Sequence, residues 1–198
     1  TLCLLWSCTP TTSYDLVITN ATIVDGSGSE RYQGMVAVNA DTIAYVGKHI
    51  DFEANEVVDA EGKVVSPGFI NMLSWAYDAL LEDGRSLSDL KQGVTLEVFG
   101  EGRSPGPSGT PGEEDYQSFG DAMSALEDKG VSANIASDLG ATTVRVQTVG
   151  YANRKATEEE LADMKAIVET SMQEGALGIG SSLIYAPADY ADTEELIF

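Results

Sequence analysis

Val64-Val65-Ser66-Pro67-Gly68-Phe69-Ile70-Asn71-Met72-Leu73 is the stretch at which the rhythm of the chain changes. Upstream of Pro67-Gly68, short β runs are broken by turn residues. Tyr14-Asp15-Leu16-Val17-Ile18-Thr19 alternates in polarity, Ala21-Thr22-Ile23-Val24 follows, and Asp25-Gly26-Ser27-Gly28 is a turn cluster. Met35 to Val38 and Thr42 to Gly47 flank Asn39-Ala40-Asp41, a hairpin signal. Val57 to Ala60, then Glu61-Gly62, then Lys63-Val64-Val65 reads as a second hairpin. The expectation over 14–66 is a small antiparallel sheet without chemistry of its own.

Downstream the spacing predicts a strand over Phe69–Leu73, a short helix over Ser86–Gln92 and a strand over Val94–Phe99. A loop rich in Pro, Gly and Ser runs from Ser104 to Gly112. Glu114–Lys129 carries Tyr116, Phe119, Met123 and Leu126 at helical spacing, with Gly130 as the stop. Further strands are expected over Ala133–Leu139 and Ala176–Ile179. Between them Thr157-Glu158-Glu159-Glu160 is a capping box for a helix ended by Gly175. Thr193-Glu194-Glu195-Leu196 opens another helix. Strands alternating with helices mean a parallel sheet. Four βα units make half of a (β/α)8 barrel, over 67–198. On this reading the chain is a truncated piece of something longer; the alternative is a complete small open α/β sheet.

Acidic residues outnumber basic ones 32 to 11 among 198, a net charge of −21. Such a surface repels phosphate backbones, which excludes a nucleic-acid partner, and it disfavours adsorption to anionic lipid. Apolar residues make up 43%, enough to build a core. Cys3 and Cys8 are the only cysteines and His49 the only histidine, so the body of the chain has no disulfide framework, no thiolate zinc site and no histidine pair. His49 reads as a surface residue. Residues 1–13 read as the remnant of an export leader, and Leu5-Trp6-Ser7-Cys8 resembles a lipobox. That predicts an exported protein, periplasmic or in the cell envelope, tethered to the membrane through a lipidated Cys8.

In a barrel, outward residues are apolar and lumen residues carry the polar groups at the C-terminal strand ends. Val94, Leu96 and Val98 are assigned outward; Thr95, Glu97, Phe99 and Glu101 to the lumen. Ile135 and Leu139 are assigned outward, and Asn134, Ala136 and Asp138 inward. Leu177 and Ile179 face out, while Gly178, Gly180 and Ser182 face in. Glu97, Glu101, Asp138 and Ser182 are therefore expected to converge. Buried carboxylates need cations, metal or hydrogen bonds to answer them, and the alternative is a satisfied polar network or an exposed rim.

Tyr14 to Ile18 through Asp25-Gly26, followed by Val65-Ser66-Pro67-Gly68-Phe69-Ile70, resembles the opening of the amidohydrolase superfamily. Gln92-Gly93-Val94-Thr95 resembles its second barrel strand. Gly175 to Gly178 through Leu183-Ile184-Tyr185 to Tyr190–Ile197, with Ala156 to Leu161 before it, is similar to the N-acyl-D-amino-acid deacylase branch. The resemblance covers 14–198. It implies the first half of a (β/α)8 amidohydrolase barrel, preceded by a portion of a small β-sandwich over 14–66. It implies hydrolysis of an amide C–N bond in a small-molecule substrate such as an N-acyl amino acid, with a divalent metal, zinc by expectation, in the full-length protein. This fragment alone is expected to hold no metal and to be inactive.

The departures lie at the implied ligands. The family's Asp-x-His-x-His reads Asn71-Met72-Leu73-Ser74-Trp75 here. Its Gly-Asn-Cys-Gly turn reads Gly100-Glu101-Gly102-Arg103, so the metal-binding Cys falls on Gly102. Its Gly-His-Gly reads Gly140-Ala141-Thr142. Two readings follow. In one, a divergent hydrolase takes metal ligands from beyond Phe198 and uses Glu101 in place of the lost Cys. In the other, a non-catalytic binding lipoprotein has an aromatic-lined lumen at Trp75 and Phe99. The resemblance assigns Tyr185 to substrate binding, and Trp75 of the aromatic-lined lumen is the other substrate-binding candidate. Asn71, Glu97, Asp138 and Ser182 stand as lumen-facing polar candidates; the catalytic residues and the oligomeric state stay open.

Overall fold

The computed structural model describes residues 12–108 and 116–197. The lipobox reading on Cys8 lies outside them, as do Glu114 and Asp115 of the expected helix. The polypeptide divides into two compact units, one ending at Pro67 and one beginning at Gly68.

The first unit is a five-stranded sheet built on β1 (Thr12–Ile23), with β2 (Tyr32–Asn39), β3 (Thr42–Gly47), β4 (Phe52–Asp59) and β5 (Val64–Val65). The β2–β3 hairpin turns at Ala40 and Asp41, with Asn39 opposite Thr42, as the sequence indicates. The expected hairpin at 57–65 does not form. Instead β4 and β5 both pair with β1, and both run parallel to it, so the sheet is mixed rather than antiparallel. Glu61 and Gly62 take left-handed backbone (φ 53° and 77°) and step the chain along one edge of β1 instead of reversing it. The Ala60 N–H bonds Thr19 O at 2.9 Å before the step, and the Thr22 N–H bonds Lys63 O at 2.9 Å after it. Tyr14, Val17, Met35 and Ala37 form one buried cluster; Ala21, Ile23, Val36 and Ala60 form another. His49 is exposed, edge-on to Phe52.

In the second unit β6 (Phe69–Asn71), β7 (Val94–Phe99) and β8 (Asn134–Ser137) pair in parallel in chain order. The expected third strand breaks at Asp138 and resumes as β9 (Leu139–Gly140), which pairs in parallel with β10 (Ile179–Gly180). Between and after the strands lie α1 (Tyr77–Glu82), α2 (Leu87–Leu90), α3 (Phe119–Lys129), α4 (Ala141–Thr148), α5 (Glu158–Gln173) and α6 (Thr193–Ile197). The helix expected from Glu114 starts at Phe119, because Ser118 caps it by accepting the Asp121 N–H at 3.1 Å. Phe99, Leu80 of α1 and Leu126 of α3 form one core; Leu139, Phe119, Val144, Val149 and Met164 form a second.

These cores reverse the facing assigned to β7. Register pairs Glu97 with Ile135 and Phe99 with Ser137, and aligned residues of parallel neighbours share a face. Phe99 packs on α1 and α3, so Thr95, Glu97 and Phe99 share the helix-covered face and Leu96 and Val98 the opposite one. The assignment of Ile135 and Leu139 to the helix side agrees with the cores.

Helix α5 shows how local sequence positions an element. Thr157 Oγ1 accepts the Glu160 N–H at 3.2 Å and Glu160 returns a bond to the Thr157 N–H at 2.8 Å. The Arg154 guanidinium, with the Thr157 N–H, holds the Glu160 carboxyl down at about 2. A depressed carboxyl stabilises above its ordinary value near 4.5 and loses that contribution as pH falls through 4.5 towards 2. Thr157→Ala should lower unfolding free energy by about 1 kcal/mol in denaturant titration. Glu160→Gln should flatten the acid side of the stability profile in the same titration.

Candidate functional site

The C-terminal ends of the strands meet at the turn Gly100–Ser104. Gly100 has φ 96°, and a Cβ there would lie 2.0 Å from the Asp138 carbonyl oxygen. Only glycine lets the two backbones approach so closely. The turn is held from the α4 side as well: the Thr142 N–H bonds Gly102 O at 2.8 Å, and the Ser104 N–H bonds Thr143 Oγ1 at 2.9 Å. A Cβ on Gly102 would lie 3.0 Å from Ser182 Cβ. The turn bearing Glu101, the segment at Asp138 and the segment at Ser182 therefore come together, as the sequence suggests.

Glu97 does not join them. It is fully buried on the helix side, where Ser74 Oγ donates to Oε2 at 2.7 Å and the Ser86 hydroxyl donates to Oε1. This is the satisfied polar network that burial of a carboxyl requires. Asn71 is half-buried, and its Oδ1 accepts the Leu73 N–H at 3.2 Å, closing a local turn. Asp138 and Ser182 are half-buried and Glu101 is exposed. Among the described residues no three of His, Cys, Asp or Glu lie close enough to hold an ion. The positions that resemble ligand positions carry Leu73, Trp75, Gly102 and Ala141. The described residues by themselves do not fit a metal centre, and Glu101 stands exposed at the rim.

The rim does form a pocket between α1 and the Gly100–Ser104 turn. Trp75, Tyr77, Asp78, Phe99, Arg103 and Tyr116 are among the residues lining it. Tyr77 stands edge-on to Phe99 at 6.0 Å and to Tyr116 at 6.2 Å, and its hydroxyl bonds Ala122 O at 2.9 Å. Trp75 is 66% exposed. Tyr185 is also 66% exposed but is not among the lining residues, so the two expected substrate residues do not share this pocket. Sequence reasoning missed Tyr77, Tyr116 and Arg103. The signal for Arg103 was present: a cation in a Gly-x-Gly turn of a very acidic chain.

Ser74 links the rim to the buried carboxyl, since its hydroxyl also accepts the Ala76 N–H at 3.2 Å. Ser74→Ala leaves one Glu97 oxygen buried without this donor. It should lower stability by about 1–3 kcal/mol, read as a shift in denaturation midpoint. A shift no larger than that of an exposed Ser→Ala control would contradict this account of Glu97.

No family model matches the chain. It is 33% identical over 197 residues to a D-aminoacylase of Alcaligenes xylosoxydans xylosoxydans, covering 93% of this chain and 41% of that protein. It is 32% identical over 196 residues to an N-acyl-D-aspartate deacylase of the same organism, covering 92% and 39%. A crystal structure of D-aminoacylase, described as defining a subset of amidohydrolases, superposes with a TM-score of 0.84 at 30% identity, over 93% of this chain and 42% of that one. The zinc and phosphonate complex of an N-acyl-D-glutamate deacylase from Bordetella bronchiseptica gives 0.85 at 26%, over 93% and 41%. The chain thus spans about two fifths of the length of these relatives. With its sequence and its strand succession both following theirs, the chain belongs to the D-aminoacylase and N-acyl-D-amino-acid deacylase branch of the amidohydrolase superfamily.

Proposed function

We propose that the protein acts on the amide C–N bond of small N-acyl amino acids. The observation that carries this reading is the match to a D-aminoacylase structure at a TM-score of 0.86 and 31% identity over 93% of the chain. In this reading β6 to β10 form the first four strands of a (β/α)8 barrel, and the β1–β5 sheet is part of a small β-sandwich. The parallel pairing in chain order supports the first assignment. The substrate then approaches the C-terminal strand ends, where barrel enzymes keep their chemistry.

Related structures are described as holding zinc, copper or a binuclear metal centre. The described residues of this chain do not make such a centre. What they supply is a rigid rim, an aromatic wall and one arginine, all of which serve binding and orientation. We therefore propose that the 198 residues by themselves do not hydrolyse amides. Leu73, Trp75, Gly102 and Ala141 at the ligand-like positions favour a second reading, a binding protein that has lost the chemistry.

The experiment is hydrolysis of N-acetyl-D-amino acids by the whole protein, with metal content measured on the same sample. Release of acetate that stops on chelation and returns with zinc is expected. No release from a folded, metal-free protein would establish the second reading instead.

We also place the protein in the cell envelope, tethered through Cys8 of Leu5-Trp6-Ser7-Cys8. Among the described residues no helix is long and apolar enough to cross a membrane; in this reading a lipid at Cys8 supplies the attachment. Cys8→Ser should move the protein from the membrane to the soluble fraction. Unchanged fractionation overturns the tether.

A further inference from the structure

Arg103 is a cation lining the rim pocket of a very acidic chain. The chain has 32 acids for 11 bases, and five of those bases form ion pairs among the described residues: Lys63, Arg85, Arg145, Arg154 and Lys155. Arg103 pairs with no described carboxylate, although Asp78 lines the same pocket and Glu101 is two residues away. Its one side-chain hydrogen bond among the described residues runs from Nη2 to the Tyr151 hydroxyl, at 2.8 Å. The guanidinium carbon lies 5.9 Å from the Tyr151 ring centroid. Tyrosine thus orients the charge without neutralising it.

The backbone beneath it is fixed. The Arg103 N–H bonds Glu101 O at 2.9 Å, and the neighbouring residues of the turn are tied to Thr142 and Thr143. A planar fork whose other donors have no partner among the described residues, carried on a rigid turn, matches the geometry of a carboxylate. Across the pocket, Trp75, Tyr77 and Tyr116 offer ring surface, and Asp78 and Glu82 on α1 repel an anion from that end. The lining thus combines ring surface for an apolar or aromatic body with one cation for a carboxylate.

We propose that this pocket is a metal-independent binding site for a small aromatic or acyl-substituted carboxylate. Arg103 receives the carboxylate, and Trp75, Tyr77 and Tyr116 receive the body. The proposal rests on the reading that the strand ends face a small N-acyl amino acid, and it assigns the carboxylate of that ligand to Arg103. It requires no hydrolysis.

The test is calorimetric titration of the protein in chelator with N-acetyl-D-phenylalanine and, separately, with its uncharged carboxamide. Saturable one-to-one binding of the acid, weaker for the carboxamide, is expected. Arg103→Gln should weaken the acid about tenfold, the effect of losing one charge-assisted hydrogen-bonded pair, and leave the carboxamide unchanged. Trp75→Ala should weaken both. Tyr151→Phe, which removes only the hydroxyl that orients the guanidinium, should produce a smaller loss confined to the acid. Arg103 is exposed, and an unchanged thermal melt of each variant separates loss of binding from loss of fold. Absence of saturable binding by the wild type overturns the proposal, as does an acid preference that survives Arg103→Gln. Because no turnover is read, binding without hydrolysis leaves this proposal standing while the hydrolytic reading falls.

Discussion

The contact between Gly100 and the backbone at Asp138 organises the candidate site. A single β-carbon at Gly100 would lie 2.0 Å from the Asp138 carbonyl oxygen, far inside any tolerable separation. Glycine permits β7 to end in a turn that folds directly over the next strand. The turn then reaches Gly102, whose carbonyl accepts the Thr142 amide in the first turn of α4, and Ser104, whose amide finds Thr143. Rim, helix start and third strand are one hydrogen-bonded body, so side chains on the turn stand on a fixed base. Arg103 stands on that base, while Tyr77 is held by its own contacts with Phe99, Tyr116 and the Ala122 carbonyl.

Burial of charge is handled by two different means in this unit. Glu97 is answered by two serine hydroxyls, one from the segment after β6 and one preceding α2. Arg145 of α4 is buried and answered by Glu195 of α6 together with the carbonyls of Ala152 and Arg154. Removing one partner of such a pair leaves an uncompensated charge, whereas the pair itself adds little net stability. Both arrangements therefore act as registers: they fix which segment lies where. Arg145 and Glu195 stand apart from the rim pocket, whereas the Glu97 network reaches it through Ser74, so only the ion pair is separate from the groups offered to a ligand.

This separation also explains what the sequence revealed. Helix α5 was legible because its capping box and its apolar spacing agree, and the β2–β3 hairpin because its turn residues sit between two alternating runs. The facing of β7 was not legible. Val94, Leu96 and Val98 make one apolar face, but Thr95, Glu97 and Phe99 make a face that reads as polar until Ser74 and Ser86 close over Glu97. Those serines are 23 and 11 residues upstream, beyond any local pattern. Helix α4 was missed for a related reason. Ala141-Thr142-Thr143-Val144-Arg145-Val146-Gln147-Thr148 is rich in β-branched residues, and burial on several sides overrides that preference. The parallel placement of β4 and β5 was hidden because pairing partners across a sheet leave no mark in the strands themselves.

At the candidate site the side chains of the rim are set apart from the packed core. Leu73 and Trp75 stand at ligand-like positions and are 50% and 66% exposed, so neither holds the core together. A side chain there can change from metal ligand to hydrophobe without disturbing a packed neighbour. Gly102 differs. It has φ 76°, and its would-be β-carbon already meets Ser182 at 3.0 Å. Any side chain restored at this position must adopt a backbone that L-residues disfavour and push Ser182 aside. At Leu73 and Trp75 a substitution changes the side chain alone; at Gly102 the surrounding backbone and Ser182 leave little room for one. The resemblance in fold is thus carried by strand succession and glycine contacts, while the chemistry at the strand ends is set by the residues that now stand there.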